Sequence, residues 1–124
     1  MRGNINGSLI MKMYLNVEQT AKLIELGFEK PKSIISAMAY KEDFVSEPCL
    51  DCERAYSIGE LLSFLPENIA KVNEMPSTLN ISLLNGEWCV EYADFLGADF
   101  SFRSVELIDS IFNMIKKLKE KGVI

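Results

Sequence analysis

Asn85-Gly86 lies between two runs of alternating apolar residues, and no other feature of the chain restricts its fold as much. Asn-Gly is the preferred pair for a type I′ turn, because both central positions need positive φ. Folding about that turn sets Leu83 opposite Trp88, Ile81 opposite Val90 and Leu79 opposite Tyr92. The other face receives Leu84 with Glu87, Ser82 with Cys89 and Asn80 with Glu91. One face is wholly apolar and the other mainly polar. A slip of one residue would exchange the two faces, so the register is specified by the pattern itself. The hairpin over 78–93 has one apolar face to bury, and helices are the natural cover.

The flanking sequence supplies those helices. Asn16 with Gln19 three residues later forms a capping-box signature. Val17, Ala21, Ile24 and Phe28 then share one helical face, and Gly27 with Pro31 marks the end. Ser57 and Glu60 repeat the signature before Ile58, Leu61, Leu62 and Leu65, and Pro66 stops that short helix. Ser104 is placed to cap a long last helix, with Glu106 in its first turn. Its apolar stripe is Val105, Ile108, Ile111, Phe112, Ile115 and Leu118. Ser33 to Tyr40 reads as a strand and Lys41 to Cys52 as an acidic loop, returning through Ala55 and Tyr56 in a second strand. Asp94 to Phe102, with Gly97, reads as a further loop. The expected order is α-β-(β)-α-β-β-α: an α+β fold with a small antiparallel sheet, the hairpin plus one or two further strands, packed on one face by about three helices. Residues 1–12 lack periodicity and are expected to be disordered or a misassigned start, leaving 13–124 as one domain.

Composition bounds what such a domain does. With 124 residues, 48% hydrophobic and 25% charged, the chain has the makings of one core and no sign of intrinsic disorder. No apolar run approaches a membrane span and the start lacks a secretory h-region, so a cytoplasmic protein is expected. Histidine is absent, which rules out Ser-His-Asp and Cys-His catalysis and imidazole-bound zinc. The net charge of −5 is uneven: residues 42–109 hold fourteen acidic and three basic side chains. An acidic middle repels phosphate backbones, so nucleic-acid binding is not expected. Lys116, Lys117, Lys119 and Lys121 are the exception, and they read as a solvated helix end suited to the helix dipole.

The remaining motifs are weak. Cys49-Leu50-Asp51-Cys52 is half of a zinc or redox pair, but only Cys89 remains as a further thiol. Glu47, Asp51 and Glu53 surround the pair with the wrong charge for a reactive thiolate. Glu87 and Glu91 share a strand face, yet four residues of strand separate them by about 13 Å. Glycosidase carboxylates sit about 5–9.5 Å apart. Trp88 and Tyr92 share the apolar face with Val90 and read as core before they read as a stacking platform. Among Phe95, Phe100 and Phe102 any exposed ring is a contact candidate. The glycines form neither a dinucleotide fingerprint nor a P-loop. No catalytic, cofactor-binding or metal-ligating residue is assigned.

Three stretches together resemble small uncharacterised proteins of prophages and other mobile elements of gut bacteria. They are Tyr56-Ser57-Ile58-Gly59-Glu60-Leu61-Leu62-Ser63-Phe64-Leu65-Pro66, then Gly86-Glu87-Trp88-Cys89-Val90-Glu91-Tyr92, then Glu106-Leu107-Ile108-Asp109. Glu18-Gln19 and Leu26-Gly27 fit the same pattern, and the resemblance covers about residues 13–122. It implies no activity and gives no residue a role. The expected function is a non-enzymatic accessory protein acting through protein–protein contacts, its acidic surface suited to a basic partner. The alternative is a small-ligand-binding or enzymatic domain with a site on the polar hairpin face or in the 41–53 loop. The sequence leaves self-association open.

Overall fold

The computed structural model describes residues 11–32, 54–71 and 74–124. Among them are helices α1 (Val17–Glu25) and α2 (Ile58–Phe64), strands β1 (Asn68–Lys71), β2 (Glu74–Leu84), β3 (Glu87–Asp94) and β4 (Gly97–Ser104), and helix α3 (Leu107–Glu120). The fold is α+β. The sheet is an antiparallel meander in the order β1-β2-β3-β4.

The Asn85-Gly86 hairpin forms in the register its pattern dictates, from Leu84 against Glu87 to Thr78 against Ala93. Asn85 has φ 52° and Gly86 φ 81°, the left-handed pair that turn demands. Both capping boxes also form. The Asn16 side chain accepts from the Gln19 amide at 2.7 Å while Gln19 accepts from the Asn16 amide at 3.1 Å. Ser57 and Glu60 make the same reciprocal pair. α2 is a seven-residue helix, too short to persist alone, and it is held by packing on α3.

The core lies between the sheet and the helices. α3 packs on β3 and β4 and buries Ile108, Ile111, Met114, Ile115 and Leu118 completely. Each such side chain contributes about 1.5–3 kcal/mol relative to exposure. From the sheet come Val90 and Tyr92, both fully buried, with Leu79, Ile81, Trp88, Phe100 and Phe102 packed against the cluster. The Tyr92 hydroxyl donates to the Pro66 carbonyl at 2.6 Å, tying β3 to the end of α2. Tyr56 is likewise buried, its hydroxyl donating to the Glu29 carbonyl. Its ring meets Phe64 edge-on at 5.7 Å, and Phe64 lies 5.0 Å from Phe28.

Several expectations need correction. The stretch 94–102 is not a loop: the chain turns over Phe95-Leu96 and β4 follows at once. Its period-two signal, Phe100 and Phe102 inward, is broken on the N-terminal side by a bulge. Ala98 pairs with Ala93 and Phe100 with Tyr92, leaving Asp99 unpaired. β1 also goes unannounced, since Asn68-Ile69-Ala70-Lys71 holds little apolar pattern. With the Ser33–Tyr40 strand outside the described residues, the observed order is α-α-β-β-β-β-α.

The return through Ala55 and Tyr56 is an isolated bridge, Tyr14 to Ser57, rather than a sheet strand. Leu15 donates to the Tyr56 carbonyl there at 3.0 Å. The buried residues of α1 are Thr20 and Leu23, whereas Ala21 and Ile24 are exposed. Two hydrogen bonds along the bridge fix which side of α1 turns inward, and helical spacing carries no knowledge of them.

The last helix starts at Leu107 with Glu106 as its N-cap, not at Ser104, and Val105 is exposed. The reason is tertiary: a Glu106 carboxylate oxygen accepts from the Lys12 amide at 3.0 Å. Lys12, assigned from sequence to the leading segment, also reaches Asp109 and Gln19 through its ammonium, each at 3.3 Å.

Candidate functional site

Two surfaces of the sheet stand out. The first is the face opposite α3, where cross-strand rows are polar. Asn80, Glu91 and Ser101 form one row, and Ser82, Cys89 and Arg103 the next. These side chains bond mostly to one another. The Asn80 amide donates to Glu91 at 3.5 Å. The Cys89 thiol lies 3.7 Å from the same carboxylate and 3.5 Å from the Ser101 hydroxyl. Cys89 is only 3% exposed although it belongs to this open face. A thiol screened by a carboxylate and a hydroxyl is placed as packing rather than as a nucleophile. Glu87 stands at the turn end of the same face, two pleats from Glu91. The strand spacing keeps these two carboxylates from acting as one pair.

The second surface is the β3–β4 hairpin tip. Asp94 pairs with Gly97, so Phe95 and Leu96 make a two-residue turn. The Asp94 carboxylate accepts from the Leu96 amide at 2.8 Å, an Asx-type contact that holds the turn. Gly97 adopts φ 138°, a conformation L residues rarely reach. The turn is therefore shaped by Asp94 and Gly97, while Phe95 is 80% exposed and Leu96 78%. Continuing the β2–β3 register brings Pro76 and Met75 to the same end of the sheet, and Met75 is 62% exposed. Four neighbouring apolar side chains thus share one rim. At the opposite end Leu83, Leu84 and Val105 are also exposed, each to a smaller extent.

The other sequence candidates fall as follows. Cys49 and Cys52, with the whole 41–53 loop, lie outside the described residues. Among the described residues no group of His, Cys, Asp and Glu is arranged to hold a metal ion. No described helix is long and apolar enough to cross a membrane. Tyr92 is core, and Trp88 is half-buried with its carbonyl accepting from Ser110. Of the three phenylalanines, Phe100 and Phe102 anchor β4 to the core and Phe95 is the exposed one.

The lysine cluster serves the helix end: Lys119 sits over the Phe28 ring at 5.3 Å and Lys116 over Phe112 at 5.7 Å. Leu96 and Met75 were not singled out by the sequence. The signal that finds Leu96 is Asp94-x-x-Gly97, a turn whose middle positions are unconstrained.

No family model matches the chain, and no curated protein or solved structure shows significant similarity to it.

Proposed function

We propose that the protein acts through protein–protein contact, with the β3–β4 tip as the contact surface. The observation that carries this reading is the near-complete exposure of Phe95 and Leu96 on a turn that needs neither of them. Adjacent apolar side chains held out on a hydrogen-bonded hairpin lose little conformational freedom on binding, which favours them as anchors. The chemistry they seek is an apolar pocket or groove on another protein. Asp94 and Asp99 beside the tip suit a basic rim around that groove. The finer version, an accessory factor of a mobile element, rests on the resemblance of the capped helix, Trp hairpin and last helix to prophage proteins.

The test is capture of partners from native-host lysate, with the element silent and induced, using wild type and Phe95→Ser/Leu96→Ser in parallel. A near-stoichiometric partner lost by the double variant is the expected result. A partner retained by that variant would move the contact elsewhere. A blank in both states would return weight to the ligand reading and to the polar face.

A further inference from the structure

A strand at the rim of a sheet leaves half of its backbone groups unpaired, and folded proteins blunt such edges by shortness, Lys, Pro or bulges. The two edges here are treated differently. β1 is four residues long and irregular in register between Ile69 and Lys71. β4 is eight residues long, contains neither Lys nor Pro, and confines its one bulge to Asp99. Phe100 to Ser104 is regular, and it hydrogen-bonds to β3 on one side. Among the described residues no other element pairs with its outer edge.

We infer that β4 pairs antiparallel with β4 of a second copy of this chain, about a two-fold axis at Ser101. Face parity selects the register. In an antiparallel pair, residues directly opposite share a face, so Phe100 and Phe102 on the helix-covered face must meet residues of that same face. Any register offset by one sets Ser101 against a Phe and turns the second copy's helices to the wrong side. Centring on Phe100 sets Phe102 against Ala98, and centring on Phe102 sets Phe100 against Ser104. Centring on Ser101 sets each Phe100 against Phe102 of the other copy. It also brings exposed Arg103 opposite exposed Asp99 of the second copy, twice over by symmetry. The two half-buried rings then gain the neighbours that the edge denies them, and the charges complement across the seam.

Sedimentation velocity over a range of protein concentrations tests this on wild type, Ser101→Lys and Arg103→Glu. Both substitutions fall on exposed side chains of the open face. The first sets two ammonium groups against each other on the axis; the second sets carboxylate against carboxylate. The expected result is a wild-type dimer. Each variant should stay folded by circular dichroism while its dissociation constant rises roughly tenfold. If Ser101→Lys does not fold, Arg103→Glu carries the same reading. A monomeric wild type would overturn the inference and leave the edge to a strand of some other protein. A dimer untouched by the folded variants would overturn it too, placing the interface elsewhere. Phe95→Ser/Leu96→Ser should leave this dimer intact, which separates it from the contact proposed at the tip.

Discussion

Strand β3 belongs to two hairpins, and their turns are built on opposite principles. At Asn85-Gly86 the residues in the turn are the ones its geometry requires: both sit at positive φ, and neither side chain has another task. At Phe95-Leu96 the geometry is set by the flanking residues, Asp94 through its carboxylate and Gly97 through its backbone. The first turn spends its composition on folding. The second leaves two positions unconstrained and fills them with large apolar side chains that the fold does not bury. That contrast distinguishes a structural turn from one available for contact.

The comparison assumes that β3 is the shared foundation, and the largest expected effect tests that assumption. Tyr92→Ala removes a fully buried ring that pairs with Leu79 on one side and Phe100 on the other. A loss of about 3–5 kcal/mol is expected in urea unfolding. A loss below that of an ordinary surface change would mean the two hairpins do not share a core.

Next come the turn glycines. A Cβ at Gly86 or Gly97 meets nothing within 4 Å, so any cost of Gly→Ala is conformational. Gly86 at φ 81° lies near the left-handed region, where an L residue costs about 1–2 kcal/mol. Gly97 at φ 138° lies beyond it, where strain is about 1–3 kcal/mol. Gly97→Ala should therefore destabilise at least as much as Gly86→Ala. The reverse order would show that the second turn relaxes easily and that its apolar tip is not rigidly presented.

Alkaline pH sharpens the role of β3 further. Burial pushes the Tyr92 phenol up to about 12, and burial with the nearby Glu60 and Glu29 carboxylates does the same for Tyr56. An unfolded tyrosine loses its proton near pH 10. Between about pH 10 and pH 12 the unfolded state thus binds fewer protons than the native one, and stability falls as pH rises. The contribution is present in full below that window. Tyr92→Phe should cost about 1 kcal/mol at neutral pH, since the Pro66 carbonyl loses its donor. It should also make the alkaline loss shallower in denaturation curves recorded on either side of pH 10. An unchanged slope would exclude Tyr92 as a source of it.

What was legible in the sequence follows the same divide between local and tertiary control. The Asn85-Gly86 hairpin, both capping boxes and the Pro66 stop are local agreements of backbone and side chain, and each is present as read. β4 was hidden because the Asp99 bulge interrupts the alternation that Phe100 and Phe102 would otherwise announce. β1 was hidden because its single inward residue, Ile69, makes no pattern. The start of α3 moved because Glu106 turns to the Lys12 amide, ninety-four positions away in sequence. Of the contact surface, Phe95 was legible as an aromatic near a turn. Its partners on the rim, Leu96, Pro76 and Met75, became visible only when the register placed them together.

The smallest expected change in stability is the one that matters most to the comparison. Phe95→Ser/Leu96→Ser removes two side chains that are almost wholly in solvent and leaves Asp94 and Gly97 in place. Its unfolding free energy should stay within about 0.5 kcal/mol of wild type. The second turn would then carry its apolar residues at no benefit to the fold, as a contact surface must. A loss well above that value would mean that Phe95 or Leu96 packs on the rim with Met75 and Pro76. The tip would then be a structural corner like Asn85-Gly86, and the proposed contact would have to be sought at Leu83, Leu84 and Val105 on the other end of the sheet.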